Sequence, residues 1–106
     1  MQTLLEQLET ILNKRKLANP ETSYVAQLNA KGLNKILEKI GEETTEVILA
    51  AKDAQQTPAN NQEVIAEMAD LWFHCLVMLN NLNISQAEVM QELARRMGIS
   101  GLEEKA

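Results

Sequence analysis

Apolar positions recur at helical spacing in four stretches, and the two prolines, Pro20 and Pro58, fall between stretches. Leu4, Leu8, Ile11 and Leu12 line one face and predict a first helix over about residues 3–16. Thr3 and Glu6 have capping-box spacing, and Lys14, Arg15 and Lys16 suit a helix C-terminus. A second helix is expected over about 32–54, with Ile36, Ile40, Val47 and Ala51 on its apolar face. Gly41 lies in its middle, at a cost of roughly 1 kcal/mol relative to Ala, and close approach by a ligand or another helix would be a reason for it. A third helix is expected over about 61–82, with Val64, Met68, Trp72, Cys75 and Leu79 on one side and Phe73 and Val77 on the other. A helix apolar nearly all round is buried on several sides, which in so small a domain implies a covering second subunit. The fourth helix, about 86–97, has Ser85 and Glu88 as a capping box, Ile84 and Val89 as a hydrophobic staple and Gly98 as C-terminal cap. Residues 17–31 form a connection that is either extended or a short helix, long enough to have a task of its own.

These elements predict an all-α fold, a four-helix, mostly antiparallel bundle-like subunit assembling as a homodimer, with larger assembly open. At 106 residues one domain spanning 1–106 is the expectation. Only three residues are aromatic, so the core must be aliphatic. The net charge of −5 argues against broad nucleic-acid binding, which needs a basic surface, but allows an anionic substrate where a divalent ion reverses the local sign. The single cysteine, Cys75, permits no internal disulfide and reads as an inert buried thiol. There is no signal-peptide pattern and no run of eighteen apolar residues, so no membrane span is expected and a cytoplasmic protein is the simple reading.

The chemistry is carried by carboxylates. Glu42, Glu43 and Glu46 lie on the second helix, with Glu43 inside the apolar stripe; Glu63, Glu67, Asp70 and His74 form a polar stripe on the most apolar helix. Like charges at i,i+3 and i,i+4 disfavour a helix, and buried carboxylates need partners. Too few Lys or Arg face them, so a divalent cation is the expected partner. Oxygen-only ligands point to magnesium, manganese or calcium, and magnesium shared with substrate phosphates fits best. One His and one Cys exclude the usual zinc sets, and no Gly-rich phosphate loop is present. His74 either packs as an ordinary buried histidine or orients Asp70 one turn away. Lys31, Lys35 and Lys39, spaced i,i+4, together with Lys52, Arg95 and Arg96, are the cations available to phosphate.

Glu42-Glu43-x-x-Glu46 followed by Glu67-x-x-Asp70 resembles the signature of the MazG-like all-α nucleotide pyrophosphohydrolases. Ser23-Tyr24-Val25-Ala26, Lys31-Gly32-Leu33, Lys39-Ile40-Gly41, Ala50-Ala51-Lys52-Asp53, Ala69-Asp70-Leu71-Trp72-Phe73-His74, Glu92-Leu93-Ala94-Arg95-Arg96 and Ser100-Gly101-Leu102-Glu103-Glu104-Lys105 narrow the resemblance to the phosphoribosyl-ATP pyrophosphohydrolase branch of histidine biosynthesis. The resemblance implies hydrolysis of phosphoribosyl-ATP to phosphoribosyl-AMP and pyrophosphate. It implies Mg2+, with Mn2+ as a substitute, on Glu43, Glu46, Glu67 and Asp70, and Glu42 as a further ligand or a base. Lys31, Lys52, Arg95 and Arg96 would contact phosphate, and the Tyr24 segment would cover the nucleotide or ribose. The acidic motif alone is shared with house-cleaning nucleoside triphosphate pyrophosphohydrolases, and a helical dimerisation module without chemistry is the reading from outside the enzymes.

Overall fold

The computed structural model describes residues 1–99, all of whose regular elements are helical. The motif segment at 100–105 lies outside the described residues. Five α-helices replace the expected four: α1 (Leu4–Arg15), α2 (Tyr24–Lys31), α3 (Leu33–Gln56), α4 (Asn61–Asn81) and α5 (Gln86–Met97). A 3₁₀ turn, Pro58–Asn60, joins α3 to α4.

The added helix is α2, inside the connection whose conformation the sequence left open. Asn19 folds the chain after α1 by accepting the Glu21 amide on its side chain at 2.9 Å. Ser23 then caps α2 by accepting the Ala26 amide at 3.2 Å. Eight residues do not hold a helix in water, so burial of Val25, Ala26 and Leu28 stabilises α2. It ends at Gly32, whose φ of +100° is a conformation open to glycine. That break separates Lys31 from Lys35 and Lys39, so the three lysines do not form one helical strip.

Both capping boxes are present, Thr3 with Glu6 and Ser85 with Glu88. Gly98 closes α5 at φ +69°. Leu12, Val25, Leu28, Ile36 and Val77 form the core, with Ile40, Phe73, Leu76 and Met78 packed against it. The core thus gathers α1, α2, the first half of α3 and the second half of α4. Polar ties reinforce its end: Lys16 donates to the Asn80 carbonyl at 3.0 Å, satisfying a terminal carbonyl of α4, and Asn81 donates to Asn29 at 3.0 Å.

The other half of the α3–α4 hairpin projects beyond this core. Its packed positions are few, Ala50 among them, and Ile48, Leu49 and Ile65 are more than half exposed. Trp72, on the helix expected to be covered in part by a second subunit, is 61% exposed in the protomer, whereas Val77 is fully buried. α5 packs chiefly on α1 and leaves Leu93 and Met97 in solvent. Cys75 is half-buried, and that burial pushes its thiol up, as suits an unreactive side chain. No described helix is long and apolar enough to cross a membrane.

Candidate metal and phosphate site

The acidic residues meet where α3 and α4 lie side by side. Glu43 continues the stripe Ile36, Ile40 along α3 and is buried with it, at 8% exposure. Glu46 is one turn on, and Glu67 approaches from α4 half-buried. One oxygen from each of Glu43, Glu46 and Glu67 lies within 4.8 Å of the others. Glu43 Oε1 and Glu67 Oε1 are buried without a hydrogen-bond partner. Unpaired buried carboxylate oxygens are costly, and a divalent ion with oxygen ligands fits such a set.

Burial pushes the Glu67 carboxyl above its ordinary value of 4.5, and the neighbouring carboxylates of Glu46, Asp70 and Glu43 push the same way. The sign of the linkage follows. A raised folded-state value means that the folded chain binds this proton before the unfolded chain does, so stability falls as pH rises through that value. Metal-free protein is therefore expected to gain stability on acidification from neutral pH toward 4.5, the ordinary value of Glu67. Excess magnesium should reverse the trend, because protons and cation compete for the same oxygens. Thermal melts across this window, in chelator and in magnesium, measure the effect. Glu67→Gln should flatten the chelator profile, and an unchanged profile in that variant would remove the crowding argument.

Asp70 is exposed and lies outside the three-carboxylate group, although its charge acts on Glu67. Glu42 also lies outside it, exposed and paired with Lys39 at 3.2 Å. Glu63 is exposed. Lys31 is exposed at the end of α2. Lys52 donates to Gln55 at 3.3 Å. Arg95 and Arg96 both pair with Glu92 on the exposed face of α5.

The cation beside the site is Lys39. Its Glu42 partner raises it above its ordinary value, and the Tyr24 phenol and the Glu43 carboxylate act in the same direction. In the sequence Lys39 is one of three lysines at i,i+4 spacing, and its position four residues before Glu43, on the same face, is the signal that sets it apart.

His74 is buried, and its ring does not reach out to the Asp70 carboxylate. Nδ1 donates to the Asp70 main-chain carbonyl at 2.8 Å, since a carbonyl only accepts. In the neutral ring Nε2 is then the acceptor, and the Tyr24 hydroxyl donates to it at 3.0 Å.

The chain is similar to known proteins along nearly its whole length. A family model described as phosphoribosyl-ATP pyrophosphohydrolase matches residues 5–97. A phosphoribosyl-ATP pyrophosphatase of Hydrogenovibrio crunogenus is 53% identical over 103 residues, covering 97% of this chain and 90% of the relative. Proteins of the same name from Burkholderia vietnamiensis and Burkholderia multivorans are each 54% identical over 104 residues, 98% of this chain and 84% of the relative. With that match running from within α1 to the end of α5 and over the acidic motifs of α3 and α4, the chain belongs to the phosphoribosyl-ATP pyrophosphohydrolase family.

Proposed function

We propose that this chain hydrolyses phosphoribosyl-ATP to phosphoribosyl-AMP and pyrophosphate, a step of histidine biosynthesis in the cytoplasm, with magnesium held by Glu43, Glu46, Glu67 and Asp70. The observation that carries the reading is the pair of unpartnered buried oxygens on Glu43 and Glu67, inside a three-carboxylate cluster. It stands in a chain more than half identical to proteins named for this reaction.

The donor set is all oxygen, which suits magnesium, with manganese as a substitute. When bound, the metal supplies positive charge for the phosphate oxygens and an acidified water. Glu43, Glu46 and Glu67 would hold it from two helices, with Asp70, exposed one turn beyond Glu67 and outside the three-carboxylate group, as a fourth ligand. Glu42, outside the cluster and steadied by Lys39, accepts the proton of the attacking water. Water adds across the α–β phosphoanhydride, one P–O bond breaks, and pyrophosphate leaves. Lys39, at the edge of the carboxylates, serves as a phosphate contact; Lys31, Lys52, Arg95 and Arg96 would serve too, although in the protomer Lys52 is bonded to Gln55 and both arginines to Glu92.

A second copy of the chain completes the fold in this reading. The radius of gyration is 16.2 Å, against about 13 Å for a compact chain of this length. The accessible surface is 7525 Å², roughly 1,500 Å² more than a compact monomer of this size exposes. Leu37, Gly41, Thr44 and Ile48 form an exposed stripe along α3 beside Ile65, Ala69 and Trp72 of α4. A Cβ at Gly41 would meet nothing within 4 Å, so no neighbour inside the protomer calls for the glycine, and approach by a helix of another copy does.

The test is pyrophosphate release from phosphoribosyl-ATP, with and without magnesium, beside a panel of deoxynucleoside triphosphates. Magnesium-dependent release from phosphoribosyl-ATP well above the panel is expected. Faster turnover of the panel would replace the substrate assignment with the house-cleaning one.

A further inference from the structure

Tyr24 and His74, linked to each other and to the Asp70 main-chain carbonyl, have no role in the hydrolysis described above. His74 lies on α4 one turn beyond Asp70 and two beyond Glu67, 6% exposed. Its ring is fixed from both sides, by the Asp70 carbonyl at 2.8 Å and the Tyr24 hydroxyl at 3.0 Å. The Tyr24 and Phe73 rings meet edge-on with the imidazole, with centroids 5.9 and 5.0 Å away. Tyr24 itself is held on one face by Phe73, 6.2 Å between centroids and 20° between planes.

For all this anchoring, Tyr24 remains 46% exposed. A tyrosine kept only for the core would be buried; here the hydroxyl is bonded inward to His74 while the residue as a whole stays half-exposed. Tyr24 is also the first residue of α2, an eight-residue helix that depends on tertiary contacts for stability. The only side-chain hydrogen bond that Tyr24 makes among the described residues runs to His74. The two hydrogen bonds of His74 bring the Tyr24 hydroxyl next to the Asp70 turn of α4.

We infer that His74 is a positioning residue that acts through Tyr24: it locks the first turn of α2 to the Asp70 turn of α4, so that the half-exposed Tyr24 stacks on the planar heteroaromatic part of the nucleotide. The inference rests on the acidic cluster being the pyrophosphohydrolase site. Stacking tolerates many bases because each has a π-face. The Nδ1 bond to the main chain, instead of to the carboxylate, leaves both oxygens of Asp70 free for other ligands.

Four variants test it. Tyr24→Leu removes the stacking plane; Tyr24→Phe keeps the plane and cuts the bond to His74; His74→Phe cuts the same bond from the other side; His74→Gln keeps an acceptor for the phenol. Tyr24→Leu is expected to raise KM for phosphoribosyl-ATP by about tenfold or more with kcat little changed. Tyr24→Phe and His74→Phe should each raise KM about fivefold, the worth of one hydrogen bond. Their double variant should be no worse than either single one, because both remove the same contact. His74→Gln should recover much of the wild-type KM. Mn2+ affinity, read by paramagnetic resonance, should stay at the wild-type value in Tyr24→Leu and Tyr24→Phe. Lowered melting temperature with unchanged KM in all four would leave His74 a purely structural residue, and additive effects in the double variant would show that it does not act through Tyr24. Calorimetric binding of ATP in calcium separates this from the substrate assignment. Weaker ATP binding by Tyr24→Leu would uphold stacking even if wild type released no pyrophosphate from phosphoribosyl-ATP; equal binding would overturn it.

Discussion

Glu43→Gln is expected to abolish magnesium-dependent pyrophosphate release while leaving the metal-free fold at least as stable as wild type. Glu43 is 8% exposed and its Oε1 has no hydrogen-bond partner. Without a cation this carboxylate is a buried charge facing Glu46 and Glu67, a destabilising arrangement. The amide is neutral, nearly the same size, and relieves the repulsion. With a cation the balance inverts. Loss of one ligand from a site that stabilises transition-state charge should lower turnover by at least about a hundredfold. Wild type should also be stabilised by magnesium through mass action, about 2.7 kcal/mol at a hundred times Kd, which for a domain of this length is a melting shift on the order of 10 °C. Glu43→Gln should lose most of that shift. Wild-type turnover and metal-induced stabilisation in the variant would take Glu43 out of the site.

The second large effect is expected from Ile48→Glu. Ile48 is 58% exposed in the protomer, far from the core on the projecting half of α3. If the protomer stood alone, a surface charge there would change stability by no more than about 0.5 kcal/mol. If the face packs against a second copy, the same substitution places an unpaired carboxylate in an apolar interface, which costs several kcal/mol and falls on both copies at once. Sedimentation should show wild-type dimer and a variant that is monomeric or unfolded. The wild-type melting temperature should rise with protein concentration, as it does when folding and association are coupled. Trp72→Glu should behave alike, since Trp72 lies on the exposed stripe of α4. Unchanged mass and stability in both variants would exclude this face as the interface.

Helical patterning along α1, α3, α4 and α5 was legible because each carries a long apolar stripe and, in α1 and α5, a capping box whose members lie three residues apart. α2 was not, because an eight-residue segment has little periodicity and is helical through burial of Val25, Ala26 and Leu28. Which of Trp72, Phe73 and Val77 the protomer itself covers was not legible for a related reason. Hydrophobicity shows that a side chain seeks cover but not whether its own subunit supplies it. Lys31 looked like part of a strip with Lys35 and Lys39 until the backbone turn at Gly32 separated them.

The sequence by itself determined the helical class, the pairing of acidic motifs on two helices and, through Glu43 in an apolar stripe, that some of this charge would be buried. Those properties depend on spacing along one helix, which is fixed by 3.6 residues per turn. Tertiary structure alone decided that Glu67 converges on Glu43 and Glu46 while Asp70 and Glu42 stand aside, that Lys39 is the neighbouring cation, and that His74 joins Tyr24 to the Asp70 carbonyl. Each of these depends on the rotation and register of one helix against another, set by the packing of many side chains at once, which no local spacing encodes.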